Sequence, residues 1–357
     1  MNVAVAIFVL LFVGGSTCGQ SGFFAVRWAS HGRDMRFPTF RNDDQKTASR
    51  INRMLQLGEL MRLEGRKPGN LFDVVTIDDG TIYGGKVDIE GTVYANDKRR
   101  LSIGFDQSSC GMTCAYWHRY YTFNSGNGDR IDLKDLFSMS GFESFKKLVV
   151  SKRSASFRRE VRRRLPASEQ ESRLSILGSI EADELDDFYI RGNSIFIDGE
   201  NCLLKNEKFD GLRMIVRFDL AEFRLLLNEY GRTIFGLADT KVSRFRSNGL
   251  PQLMDGIVGD NSRIIMLLRK IDDVNVEGVY AYTKYGRGIA LRGTLASDRL
   301  ELTEQVLTET KYVPETNVDH RYVDNGKISG RFSGLEFKGT WSDLEGSRTL
   351  DLQAARN

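Results

Sequence analysis

Residues 289–295 read Ile-Ala-Leu-Arg-Gly-Thr-Leu, so every second position from Ile289 to Leu295 is apolar or glycine. A period of two puts those side chains on one face of a strand. A sheet with one buried face and one wet face is antiparallel. The texture holds outward on both sides, with strands expected at 263–269, 279–283, 288–295, 300–304, 327–332 and 337–341 and no helical period between them. Residues 261–357 are therefore expected to form an antiparallel β domain, either a curved sheet or a small barrel. The polar, glycine-rich stretch 240–260 reads as a linker.

Residues 20–239 have a different grammar. Asn42, Asp43 and Asp44 are helix-start residues, and Ala48, Ile51 and Leu55 then recur at helical spacing, predicting a helix to about Leu63. Strands are expected at 72–77, 81–87, 91–95, 101–106 and 115–123. Asp132-Leu-Lys-Asp135 has the form of a capping box, and Phe142, Phe145, Val149, Val161 and Leu165 predict a helix over 141–165. Short strands follow at 188–190, 195–197 and 212–218. A second box, Asp219-Leu-Ala-Glu222, is followed by Leu220, Phe223, Leu227 and Tyr230 on one face, with Gly231 placed to close that helix. The fold class expected is α+β: a mixed helix/antiparallel-sheet domain followed by a small antiparallel β-sheet or barrel domain.

The first residues address the compartment. Val3 to Val13 is an unbroken run of 11 apolar residues, followed by Gly14, Gly15, Ser16, Thr17, Cys18 and Gly19. A membrane span needs about 20 such residues, whereas a run of this length suits the apolar core of a signal peptide. Residues 1–19 are read as that leader, with cleavage before Gln20, or as a lipoprotein leader with Cys18 as the lipid anchor. The chain is expected to be exported, periplasmic or at the cell surface, with no transmembrane span after the leader. Lys and Arg number 51 against 48 Asp and Glu, a balance that argues against a nucleic-acid partner.

Of the four cysteines, Cys110 and Cys114 are the informative pair. An exported chain permits a disulfide. In a straight strand their Cα atoms would stand about 13 Å apart, against the roughly 4.4–6.8 Å that a bridge tolerates. A bridge thus requires a tight turn at Gly111, with a redox pair or a zinc site as the alternatives. Cys202 reads as a buried thiol.

Chemistry is sparse in the sequence. His31, His118 and His320 stand in no metal-ligand pattern, so no metal, cofactor or catalytic residue is assigned. His118 is offered a carboxylate such as Asp129. In the aromatic run Tyr116, Trp117, Tyr120, Tyr121 and Phe123, alternate members take opposite faces of a strand, and Tyr116, Trp117 and Tyr120 are the candidates for stacking on sugar rings. Arg158, Arg159, Arg162 and Arg163 lie in a basic run that reads as a surface for an anionic polymer or membrane, or as a solvated helix face opposite the acidic cluster Glu181, Asp183, Glu184, Asp186 and Asp187.

Three stretches carry a resemblance. Pro38-Thr-Phe40 with Ala48, Ile51, Asn52 and Leu55 resembles the opening of the extracytoplasmic domain of lysozyme-sensing anti-sigma factors. Tyr120-Tyr-Thr-Phe-Asn124, leading through a turn to Ile131-Asp-Leu-Lys-Asp-Leu-Phe137, resembles that family's most distinctive motif. Phe188 to Ile197 and Arg217-Phe-Asp-Leu220 resemble its closing strands and helix. Related domains accompany some peptidoglycan deacetylases without being catalytic. The last part, Gly278 to Trp341, resembles a β-rich module of uncharacterised exported bacterial proteins. The resemblance implies a non-catalytic cell-envelope binding module that contacts a cell-wall polymer such as peptidoglycan, or lysozyme. Two departures bear on lysozyme: Cys110–Cys114 stands where members carry a small-residue and histidine loop, and Asn206-Glu-Lys-Phe209 where they carry a proline–tyrosine loop. The alternatives are a secreted hydrolase with a dispersed site and a carrier of lipophilic ligands in the C-terminal barrel.

Overall fold

The computed structural model describes residues 22–64, 71–74, 86–110, 114–175, 177–178, 185, 187–199, 215–239, 250, 253–311 and 319–356. The expected leader, Cys18, Cys202 and most of the acidic cluster lie outside the described residues, as does the greater part of 240–252.

The alternating C-terminal strands close into a barrel. β9 (Leu253–Val258), β10 (Ser262–Lys270), β11 (Asn275–Tyr282), β12 (Gly288–Ala296), β13 (Arg299–Lys311), β14 (Asp319–Ser333), β15 (Glu336–Asp343) and β16 (Thr349–Ala355) pair in chain order. All pairs are antiparallel, and β16 returns to β9 through Leu352↔Val258 and Ala355↔Asp255. Closure removes the exposed edges that an open sheet must protect. The interior is filled by side chains, among them Met266, Leu268, Tyr280, Leu291, Leu302, Ile328 and Phe337. Gly293 shares the interior parity of Leu291 and Leu295, and a Cβ there would collide with the Glu301 carbonyl. Glycine is the residue that lets β12 bend so close to β13. The expected linker is corrected in part, since residues 253–258 are strand β9 and the barrel cannot close without them.

The N-terminal part builds a five-stranded sheet in chain order: β1 (Ala25–His31), β2 (Met35–Arg41), β3 (Lys86–Asn96), β4 (Arg100–Cys110) and β5 (Cys114–Asn124). Only β2–β3 is parallel. Asp44 caps α1 (Gln45–Leu55) by accepting from the Lys46 and Thr47 amides at 3.1 and 3.2 Å. The helix then widens into a π turn over Gln56–Leu60 and stops at Met61, whose φ is +49°. The strand expected at 72–77 is corrected where it is described: Leu71–Val74 is a single 3-10 turn whose Leu71 and Phe72 plug the core.

A second core lies under β6 (Phe188–Arg191), β7 (Ser194–Ile197) and β8 (Val216–Asp219). The Asp132 box opens only the 3-10 turn Leu133–Leu136, and Ser138 caps the long helix α2 (Met139–Arg164). A short α3 (Ala167–Leu174) follows it. The Asp219 box opens α4 (Leu220–Phe223), after which the chain turns and Asn228 caps α5 (Glu229–Ile234). Gly231 therefore sits inside a helix and does not end one. A Cβ on it would strike the Leu136 carbonyl, so close packing onto the 3-10 turn selects the glycine.

The two halves share a core. Ile264, Met266 and Leu268 point into the barrel, whereas Ile265 and Leu267 pack outward with Val279 and Ala281 against Leu57, Leu60, Phe37 and Phe105. Leu63 N donates to Gly286 O at 2.8 Å and Gly288 N to Met61 O at 2.7 Å. Arg53 pairs with Asp255 at 3.1 Å, and Arg356, just past β16, pairs with Asp129.

Candidate functional site

The register of the five-stranded sheet aligns one residue from each strand in a row. Ser30 pairs with Arg36, Arg36 with Glu90, Glu90 with Asp106, and Asp106 with His118. These positions alternate with Met35, Ile89 and Phe105, which fill the core. The row therefore lies on the sheet's outer face.

Along the row, Arg36 Nη1 donates to Glu90 Oε1 at 3.0 Å, and the guanidinium carbon stands 4.0 Å from the centre of the Trp28 ring. Asp106 Oδ1 lies 2.6 Å from His118 Nδ1, so with an ionised carboxylate accepting, that nitrogen carries the proton. Asp88, one strand step from Glu90, is held above the ordinary carboxylate range by burial and then by Asp34, Glu90 and Asp106. Asp88, Glu90 and Asp106 thus share a sheet face with Arg36 and His118, and Asp34 lies close enough to act on Asp88.

An aromatic rail flanks the row. Tyr94 and Tyr120 lie across Gly104, where a Cβ would fall 2.7 and 3.0 Å from their rings. Tyr189 stacks on Tyr94 at 3.9 Å and on Phe196 at 4.8 Å. Tyr120 donates its hydroxyl to the buried Asp198 at 2.6 Å. Burial, followed by the neighbouring Tyr189, Asp106 and Asp198, pushes the Tyr94 hydroxyl up to about 12. Tyr116 pairs with Ser108 at the other end of β5 and is 64% exposed. Beyond it Cys110 and Cys114 form the disulfide that closes the β4–β5 hairpin, with Cα atoms 4.0 Å apart.

The sequence candidates divide across the sheet. Tyr116, His118 and Tyr120 share the outer face, while Trp117 alternates to the other side with Arg119 and Tyr121. His118 takes Asp106, not Asp129. Asp129 is buried against Arg50 at 3.3 Å and against Arg356. Arg158, Arg159, Arg162 and Arg163 are exposed on α2, away from this row. Sequence reading passed over Trp28, Arg36, Asp88, Glu90 and Asp106. Their signal was the alternation Asp88-Ile89-Glu90 and Phe105-Asp106-Gln107, which places acids on one face only.

Beneath the same sheet lies a buried charged network. Glu59, in the π turn, accepts from Gln107 Nε2 at 2.6 Å, from Lys86 Nζ at 3.1 Å and from the Tyr121 hydroxyl, and Arg119 reaches it at 4.0 Å. Burial raises the Glu59 carboxyl, but Lys86 and Arg119 outweigh that and hold it below its usual range. Burial and Arg119 bring the Lys86 ammonium down although Glu59 opposes them. Glu59 thus keeps its charge, with two cations to support it. Its signal was the continued helical step Ile51, Leu55, 59, which sets a carboxylate on an apolar face.

Among the described residues no group of three or more His, Cys, Asp and Glu is placed to hold a metal ion, and no helix is long and apolar enough to cross a membrane. No family model matches the chain, and no curated protein matches it.

Proposed function

We propose that the chain is an exported module of the cell envelope that binds the glycan of a wall polymer through the outer face of its five-stranded sheet. The observation that carries this reading is the register-aligned row Arg36, Glu90, Asp106 and His118 beside the rings of Trp28, Tyr94 and Tyr116. Sugar recognition needs flat apolar faces for ring C–H groups and fixed acceptors for hydroxyls. Carboxylates anchored on strands supply those acceptors with little loss of side-chain freedom on binding. Export is supported by the 1–19 leader and by the Cys110–Cys114 disulfide, a bond that persists in oxidising compartments. The carrier alternative would need an open barrel interior, and the interior here is closed over by apolar side chains such as Met266, Leu302 and Phe337.

A second reading has its own support. Burial, then Asp34, Glu90 and Asp106, raise the charging cost of Asp88, and this gathering of acids suits a basic protein partner such as lysozyme. Calorimetric titration of the chain with soluble peptidoglycan fragments and, separately, with lysozyme tests both. Saturable binding of fragments that weakens at least tenfold in Tyr116→Ala with Asp106→Asn supports the first reading. Binding of lysozyme alone replaces it with the second, and no heat with either at tens of micromolar removes both.

A further inference from the structure

We infer that the exposed face of α2 is a docking surface for a polyanionic polymer with closely repeated anionic groups. The charge of this chain is segregated. Residues 139–164 hold nine Lys and Arg against two Glu, a surplus of seven, on a chain whose whole surplus is three. The remainder of the protein is acidic on balance.

The geometry of α2 explains how so many cations reach solvent. Its buried positions recur at steps of four: Gly141, Phe145, Val149, Arg153, Phe157 and Val161. Each step overshoots a full turn by about 40°, so the buried stripe winds around the helix and frees a complementary stripe. At about 100° per residue, Lys147, Arg158 and Arg162 project within about 60° of one another, with Arg159 a further 60° round. Among the residues between them are the small, exposed Ser151 and Ala155 and the apolar Leu148, 42% exposed.

Local pairing accounts for part of the charge. Glu160 holds Arg163 at 2.6 Å and Arg164 at 2.9 Å, and Glu222 holds Lys152 at 2.8 Å. Cations in the last turn also complement the helix dipole, which explains Arg162 to Arg164. Lys146, Lys147, Arg158 and Arg159 lie outside that turn and, among the described residues, pair with no carboxylate. Like charges one turn apart repel, as Arg158 and Arg162 do, at Cβ separations of about 5–6 Å. A ligand with anions repeated at similar spacing turns that repulsion into attraction. Guanidinium forks suit phosphate oxygens in particular.

A polymer fits better than a bilayer. Helices that lie in a membrane interface insert large apolar side chains opposite a basic face. The exposed stripe of α2 offers Ala155 and the partly exposed Leu148, and no aromatic residue.

The test uses the full chain with long-chain inorganic polyphosphate as the probe, beside monomeric phosphate and vesicles containing phosphatidylglycerol. The expected result is saturable polyphosphate binding at 50 mM salt that weakens at least tenfold at 300 mM, because each contact releases counterions. The variant Lys147→Gln, Arg158→Gln, Arg159→Gln, Arg162→Gln should weaken it a further tenfold or more with an unchanged melting curve, and the Lys replacements of the three arginines should recover most of it. Tyr116→Ala with Asp106→Asn should leave it intact, which separates this surface from the sheet face. Polyphosphate affinity unchanged in the four-residue variant, or tighter binding to vesicles than to polyphosphate, overturns the proposal.

Discussion

Two of the protein's buried carboxylates, Glu59 and Glu304, lie on opposite sides of its shared core and are solvated by opposite means. Glu59, in the π turn after α1, has two cations: Lys86 at 3.1 Å and Arg119 at 4.0 Å. Glu304, inside the barrel on β13, has neutral donors. Trp341 Nε1 donates to it at 2.5 Å, Asn325 Nδ2 at 3.0 Å, and Tyr280 through its hydroxyl. Among the described residues no cation pairs with Glu304. The first arrangement ties the sheet to the segment that abuts the barrel. The second lines a wall of the barrel with a polar group that its neighbours fully engage. The difference teaches that a buried acid has two stable settings, a counter-charge or a full set of donors, and that their mutational signatures differ.

The largest expected effect is at Glu59. Glu59→Gln keeps the shape but leaves Lys86 and Arg119 facing a neutral amide, and breaking a buried pair from one side costs about 3–5 kcal/mol. A fall of that size in the unfolding free energy from urea titration is the expected outcome. The pH dependence has a definite sign. The folded-state carboxyl lies below its usual range, so ionised Glu59 stabilises the fold above about pH 4.5, and the contribution fades as pH falls through the folded-state value. The gap between wild type and Glu59→Gln should therefore narrow in acid. A gap that stays constant from pH 7 to pH 3 would show that the lost term is packing and not charge.

How much of this was legible in the sequence depended on whether the signal was local. The barrel was, because alternation such as Ile289, Leu291, Leu295 is a property of one strand. Its join to the sheet was not read, although Ile264-Ile-Met-Leu-Leu268 is continuous where a half-exposed strand would alternate, which is how a strand buried on both faces is spelled. Strand β9 was missed because a glycine and an aspartate dilute its pattern. The Asp219 box was legible from spacing alone, whereas the disulfide needed a turn at Gly111 and an oxidising compartment to be argued. The row across the outer sheet face was not, since Arg36, Glu90, Asp106 and His118 come from four strands and meet only through register. Tyr116 and Tyr120 share one strand face as the alternation requires, but Tyr120 is buried with its hydroxyl on Asp198, and Trp117 was grouped with them although the same alternation turns it away.

The disulfide sharpens the comparison next, because it lies on the Glu59 side of the molecule and pins the hairpin that carries Gln107 and Arg119. Closing so short a loop removes roughly 2 kcal/mol of unfolded-state freedom. Cys110→Ala with Cys114→Ala should lower stability by about that amount. Combined with Glu59→Gln the losses should add to within about 0.5 kcal/mol if the pin and the network act independently. A double loss well short of the sum would mean that the hairpin holds Arg119 and Gln107 in place for Glu59.

The smallest effect is expected at Glu304, and it is the one that distinguishes the two settings. In Glu304→Gln the amide oxygen keeps both donors now aimed at Oε1, Tyr280 and Trp341. The amide nitrogen then faces Asn325, whose side chain presents its own oxygen after a half turn of the terminal amide. Every hydrogen bond survives with its direction reversed at one partner, so the change should stay within about 1 kcal/mol of wild type. Gly326 leaves the new amide its room, since a Cβ there would lie 2.9 Å from Oε2. Urea unfolding at neutral pH measures it. A loss matching that of Glu59→Gln would mean that an amide cannot replace the carboxylate among these neutral donors, and the contrast between the two buried acids would fall.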